Sequence, residues 1–303
     1  MRFLRLLVDG VCKRYGGSKK DEVSYALRDV CLDIGPGIIG LLGPNGAGKS
    51  TLMRIIATIT RPTHGTVLWN AVDIVKEPDV IRSVLGYLPQ DFGVYPNLNA
   101  DEFLHYMAAI KGLDRRAADE RIDDLLEFIN LVEVRRRPLG EFSGGMKQRI
   151  GIAQALLNDP RILIVDEPTV GLDTESRIRF RHLLAELAGD RIVVLSTHIV
   201  SDVDAAANDI AIINRGHLLC RSSPEDLLQL VEGKVWEGVI PSTQLPSVKQ
   251  VYLLSSIIHQ KDGLHIRLIA DSEPSIQARS EASPTLEEAY LYTISRSKEA
   301  VPG

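Results

Sequence analysis

Cysteine is scarce in this chain. Cys12, Cys31 and Cys220 are widely separated among 303 residues and form no C-x-x-C pair. An odd, scattered set excludes a disulfide framework or a thiolate metal site, and leaves reduced, buried thiols of a cytosolic protein as the expectation. No apolar run approaches the roughly twenty residues that a membrane helix requires, so any membrane role is expected to pass through a partner. Met1 to Asp9 is too short and too interrupted by charge to read as a secretion signal. Excess positive charge is also missing. With 35 basic and 40 acidic side chains and a net charge of -5, no strongly basic arm offers itself to nucleic acid. Neither an internal repeat nor a low-complexity tract is found.

What is present is an ordinary globular composition, 45% hydrophobic and 25% charged, at a length where one core stops growing. One main domain with an appendage is expected. The informative stretch is Gly43-Pro44-Asn45-Gly46-Ala47-Gly48-Lys49-Ser50-Thr51. It follows an apolar run, Ile38 to Leu42, that reads as a buried strand, and it precedes Leu52 to Ala57, which reads as a helix. Gly43, Gly46 and Gly48 lack Cβ, so the backbone can turn several N–H groups inward around an anion. The loop then opens onto a helix N-terminus, whose free donors favour phosphate. Lys49 adds a mobile positive charge for the β- and γ-phosphates, and the Ser50 hydroxyl suits Mg²⁺.

Earlier in the chain, Leu4 to Ile34 reads as two antiparallel strands around Gly16 to Lys20. Tyr15 follows the first of them, where a ring can stack on an adenine face or serve as an ordinary surface tyrosine. Gly65 to Asn70 and Val84 to Pro89 read as further strands, the second leading into Gln90. From Asn99 to Leu157 the pattern is helical, with charged exposed faces, and predicts a subdomain inserted into an α/β core. Near its end Ser143, Gly144 and Gly145 open another helix whose N-terminal N–H groups are free, either a second anion site or a plain capped helix.

Ile162 to Val165 is a continuous apolar run, as expected of a buried parallel strand, and it delivers Asp166 and Glu167 to the strand's C-terminal end. Asp166 suits a Mg²⁺ shell, and Glu167 suits orienting and deprotonating a water. The run Ile192 to Ser196 brings His198 to the same edge, where it can contact a γ-phosphate or act as a structural histidine. A helix near Ser201 to Ala207 and strands at Ile210 to Ile213 and His217 to Cys220 close the domain. Beyond Glu232 the pattern predicts a small α+β appendage, with strands at Val248 to Leu254 and Leu264 to Ile269 and a last helix from Pro284.

Set side by side, these pieces resemble the ATP-binding subunit of an ABC transporter over roughly residues 1 to 230. Gly43 to Thr51 matches the family's Walker A loop, Arg161 to Glu167 its Walker B strand, and Phe142 to Met146 its signature sequence. Gln90, Gly171-Leu172-Asp173, His198 and Tyr15 fall at its Q-, D-, H- and A-loops. The signature departs from the commonest form at Phe142 and Met146, while Ser143, Gly144 and Gly145 are intact.

The resemblance implies a P-loop NTPase core with an antiparallel β subdomain and an inserted helical subdomain at about 99–157, all within 1–230, and an accessory domain at 231–303. It implies ATP and Mg²⁺ as cofactors, with Glu167, His198 and Gln90 catalytic and with Ser50, Gln90 and Asp166 on the metal. It further implies a head-to-tail dimer of nucleotide-binding subunits in which each ATP lies between one Lys49 loop and the other Ser143. A separate membrane permease would dock near Phe92, Val94, Tyr95 and Leu98, placing the chain in the cytoplasm on the inner face of the cell membrane. The short appendage looks most like those of ABC-2-type exporters. The competing class, a soluble ABC ATPase acting on ribosomes or nucleic acid, usually carries fused cassettes or long coiled coils, and neither occurs in this sequence.

Overall fold

The computed structural model describes residues 4–16, 23–187, 189–276 and 279–300. Contacts divide the chain into two compact units, Met1–Leu218 and Leu219–Gly303.

In the first unit, β1 (Leu6–Gly16) pairs antiparallel with β2 (Val23–Ile34). Residues 17–20 of the expected turn lie outside the described residues. After β3 (Gly37–Leu42) and α1 (Lys49–Ile56), β4 (His64–Trp69) and β5 (Val72–Asp73) complete a four-stranded sheet ordered β2-β1-β4-β5. Then follow α2 (Asp79–Arg82), β6 (Leu85–Leu88), α3 (Ala100–Ile110), α4 (Arg115–Phe128) and α5 (Gly144–Leu156). The helical stretch predicted from Asn99 onward is therefore α3 to α5. Each of these helices is started by a side chain accepting an N–H from its first turn. Asn99 forms a capping box with Glu102, Asp114 caps α4, and Ser143 caps α5. Arg135 then ties α3 to α4 by bonding Asp101 and Asp123 at once.

The unit is completed by β7 (Ile162–Asp166), α6 (Thr174–Leu187), β8 (Ile192–Thr197), α7 (Val200–Asp204) and β9 (Asp209–Asn214). Its central strands run parallel in the order β9-β3-β8-β7-β6. Every residue of β7 and of β8 is buried, as expected for parallel strands covered on both faces. The C-terminal ends of β3, β7 and β8 come out together, since Leu41 lies beside Ser196 and Ser196 beside Asp166. Ligands of open α/β sheets bind at that edge.

The chain passes between the units within β10 (His217–Ser222). Next come α8 (Pro224–Gln229), β11 (Val235–Ile240), α9 (Leu245–Val251), β12 (Leu253–Gln260), β13 (Gly263–Ile269), β14 (Arg279–Glu281) and α10 (Leu286–Ala300), with a sheet ordered β12-β13-β11-β14. The strand expected from Val248 is corrected. Val248 to Val251 end a helix that has proline in its first turn, and the strand begins only at Leu253. The pair Lys249 and Gln250 already interrupts the apolar pattern there, and the continuous apolar run starts only at Val251.

The cysteines also differ from expectation, since Cys31 is exposed and Cys12 and Cys220 are half-buried, although all three are free thiols. The reason lies in a pair of bulges in the β1–β2 ladder. Gly10 and Asp29 turn to positive φ there and donate their N–H groups to Cys31 and Cys12, so the two thiols serve as acceptors for bulge N–H groups.

Candidate functional site

The loop between β3 and α1 is shaped by the absence of side chains. A Cβ at Gly43 would stand 2.1 Å from the Ile213 carbonyl oxygen, and one at Gly48, where φ is 112°, would stand 2.4 Å from that of Ala26. Gly46 also has positive φ, but nothing lies near its missing Cβ. Two of the three glycines therefore permit close backbone packing beneath the loop, and the third leaves its outer rim open. A cavity of about 320 Å³ is lined by Asn45 to Thr51 together with Gln90, Glu167 and His198. A larger hollow of about 830 Å³, near Arg5, Trp69 and Val80, contains neither a phosphate loop nor a nucleophile.

Lys49 is buried, and its Nζ donates to the carbonyls of Gly43 (2.7 Å) and Pro44 (3.3 Å). It also lies 3.2 Å from Glu167 Oε1. The other carboxylate oxygen, Oε2, is 2.8 Å from His198 Nδ1. Glu167 thus bridges the phosphate-loop lysine and the histidine. Its backbone has φ 48°, a left-handed conformation unusual for a residue with a side chain, and its N–H donates to Ser196 O. Strained backbone of this kind concentrates at functional positions.

Asp166 accepts a hydrogen bond from Ser50 Oγ at 3.1 Å. Burial pushes its carboxyl above the ordinary aspartate range, and the neighbouring charge of Glu167 adds to the effect. Ser50 and Gln90 line the cavity and Asp166 is reached through the Ser50 hydroxyl, a set of hard oxygen donors of the kind Mg²⁺ takes. The residues present therefore fit that ion.

The remaining predicted residues stand apart from this cluster. Tyr15 is 46% exposed near the end of β1, with Lys13 Nζ 5.1 Å from its ring centre, and it does not line the cavity. Ser143 and Gly144 are exposed at the start of α5, and Ser143 Oγ accepts from Met146 N at 3.3 Å. Gly145 is buried because α6 packs closely there, leaving a Cβ only 2.6 Å from Ser176 Oγ. Two buried residues that the sequence did not single out adjoin the site. Thr169 and Asp202 share a hydrogen bond behind Glu167 and His198.

A family model described as ABC transporter matches residues 27–170. The ABC transporter ATP-binding protein NatA of Bacillus subtilis (strain 168) is 37% identical over 72% of this chain and 89% of its own. The chain belongs to the ABC transporter family. The daunorubicin resistance ATP-binding protein DrrA3 of Streptomyces coeruleorubidus is 30% identical over 95% of both chains, so the likeness extends through the second unit of this ABC protein. Among solved structures, a dimeric ATP-binding cassette in a post-hydrolysis state bound to ADP and Pi superposes with TM-score 0.64 at 27% identity, over 72% of this chain and 98% of that one. The P-loop α/β fold expected from the motifs is thereby shown.

Proposed function

We propose that this ATPase subunit of an ABC transporter uses the Lys49–Glu167–His198 cluster to hydrolyse ATP and so to power export through a separate transmembrane permease.

 The observation that carries this reading is the position of Glu167 between the lysine of the phosphate loop and His198, on oxygens 3.2 and 2.8 Å from them. A γ-phosphate arriving in the cavity would replace Glu167 as the partner of Lys49 and release the carboxylate as general base for an attacking water. The loop N–H groups and Lys49 hold the phosphates, and His198 orients Glu167 and contacts the γ-phosphate. Ser50, Asp166 and Gln90 would hold Mg²⁺, which when bound neutralises charge developing on the phosphate oxygens. Tyr15 stacks on the base.

Ser143, Gly144 and Gly145 act on the ATP of a second cassette. They do not line their own chain's cavity, and Ser143 and Gly144 are exposed at the capped N-terminus of α5. The dimeric state of the solved cassette supports this arrangement. Each nucleotide then bridges two subunits, and loss of the γ-phosphate removes charge-assisted hydrogen bonds of about 1.5–3 kcal/mol each from the interface.

The other partner is an integral membrane permease, which keeps the chain on the cytoplasmic face of the cell membrane. Among the described residues no helix is long and apolar enough to cross a membrane. Phe92 packs edge-on against Phe103, and Tyr95 packs against both Phe103 and Tyr106. With Tyr95 53% and Tyr106 45% exposed, this aromatic ledge is suited to a short helix from the permease. Residues 1–230 act as the ATP-binding domain and 231–303 as an accessory domain. Relatives named for doxorubicin and daunorubicin resistance support export as the direction of transport.

The test is affinity purification of the Glu167→Gln protein from its native membranes in mild detergent, with and without Mg-ATP. Recovery of a multi-span membrane protein is expected. Recovery of ribosomal or DNA-bound proteins from the soluble fraction instead would overturn the transporter assignment and leave the ATPase assignment standing.

A further inference from the structure

Asp202 is 1% exposed, yet it belongs to neither the phosphate loop nor the cavity lining. Its Oδ2 accepts from Thr169 Oγ1 and, at 3.5 Å, from Thr197 Oγ1. Thr197 Oγ1 in turn accepts the backbone N–H of Ile199 at 3.0 Å. Thr169 and Thr197 are as deeply buried as the aspartate, at 2% and 0% exposure. Asp202 Oδ1 has no hydrogen-bond partner among the described residues. A buried carboxylate satisfied on one side only is costly and calls for an explanation beyond packing.

Its place in the chain supplies one. Thr169 lies two residues after Glu167, and Thr197 immediately precedes His198. The turn from Glu167 to Leu172 is otherwise closed by backbone bonds, from Val170 N to Glu167 O and from Leu172 N to Thr169 O. Nothing in those bonds fixes the turn to β8 beyond the single Glu167 N–H to Ser196 O contact. The Asp202 carboxylate adds a second tie, joining the turn that carries Glu167 to the strand end that carries His198. Because Glu167 sits at φ 48°, the turn needs such a tie to keep its carboxylate aimed at His198 and Lys49.

We infer that Asp202 is a positioning residue for ATP hydrolysis, holding Glu167 and His198 in register through the hydroxyls of Thr169 and Thr197. The inference rests on the reading of Glu167 as general base. Breaking the tie misplaces the base without touching the phosphate loop, so turnover falls while nucleotide affinity is kept.

The test uses the full chain and compares Thr169→Val, Thr169→Ser, Asp202→Ala and the Thr169→Val/Asp202→Ala pair with wild type and Glu167→Gln. Thr169→Val keeps the shape and removes the hydroxyl, so it serves even where Asp202→Ala fails to fold. The expected result is a fall in kcat of about tenfold or more for Thr169→Val, with the Kd for a fluorescent ATP analogue within about twofold of wild type. Thr169→Ser recovers wild-type turnover, and the double variant loses no more than the worse single one. An inactive Glu167→Gln protein alongside a Thr169→Val protein with wild-type kcat would overturn the inference alone. So would equal losses in kcat and affinity, or a Thr169→Ser protein as impaired as Thr169→Val. Wild-type turnover in Glu167→Gln would instead overturn the reading on which the inference rests.

Discussion

Lys111 ends α3, and its ammonium reaches inward to donate to Asn158 Oδ1 at 2.8 Å. Burial pushes its pKa down from 10.5 to about 8. Between those values the unfolded chain holds a proton that the folded chain has released, so this group makes stability rise with pH from about 8 to 10.5. Below pH 8 the buried charge destabilises the fold by about 3 kcal/mol, at 1.36 kcal/mol for each pH unit between the two values. At pH 10 the same linkage leaves less than about 1 kcal/mol. Replacing Lys111 with Met removes the charge and fills similar space, at the loss of one hydrogen bond worth about 1 kcal/mol. The variant should therefore be more stable than wild type by about 2 kcal/mol at pH 7 and about equal to it at pH 10. Urea unfolding followed by tryptophan fluorescence measures both. Trp69 reports on the first unit once Trp236 is replaced by Phe, since the chain has only these two tryptophans. A gain that did not vary with pH, or a loss at pH 7, would refute the argument from burial.

Other consequences follow from close contacts and buried charge. Gly43→Ala places a methyl 2.1 Å from the Ile213 carbonyl, so ATP affinity should fall by more than about tenfold with a lower Tm, read by calorimetric titration and thermal melts. Gly145→Ala drives a methyl into Ser176 and should destabilise the protein by about 1–3 kcal/mol, and adding Ser176→Gly should restore most of the loss. In the second unit Glu288 is 1% exposed and bonded to Arg267 at 2.8 Å. Arg267→Met leaves that carboxylate unpaired, an expected cost of about 3–5 kcal/mol in urea unfolding. Burial raises the Glu288 pKa, but hydrogen bonds from Arg267, Ser255 and Thr285 outweigh it and hold the group below the usual glutamate range. Its stabilisation is present above the unfolded pKa and lost as pH falls through the folded one, so acid unfolding of the second unit should shift to higher pH in the variant.

Much of the first unit could be read from residue pattern because each element there carries a local cause. Ile162 to Val165 is apolar throughout since both faces of β7 are covered, and Asn99, Asp114 and Ser143 mark the helix starts with side chains that cap them. The glycines of the phosphate loop were legible as a cradle, but their spacing says nothing of Ile213 and Ala26, which set how tightly that cradle is packed. Asp202 and Thr169 were missed because a buried polar pair 33 residues apart leaves no periodic trace. Val248 to Val251 failed for a different reason, namely that the apolar run Val251 to Leu254 begins on the last residue of a helix and ends in a strand, so it does not mark where the one gives way to the other. Cys31 was expected inside on the habits of its residue type, whereas the bulge at Gly10 places its sulfur beside a backbone N–H on the exposed surface.

The central claim is that Glu167, held between Lys49 and His198, is the base that activates water against ATP. Steady-state release of phosphate from Mg-ATP by wild type and by Glu167→Gln, with ATP affinity measured on the same preparations, tests it most directly. The account predicts turnover by wild type, a loss of about a hundredfold or more in the variant, and ATP affinity retained in both. Undiminished hydrolysis by Glu167→Gln would contradict it.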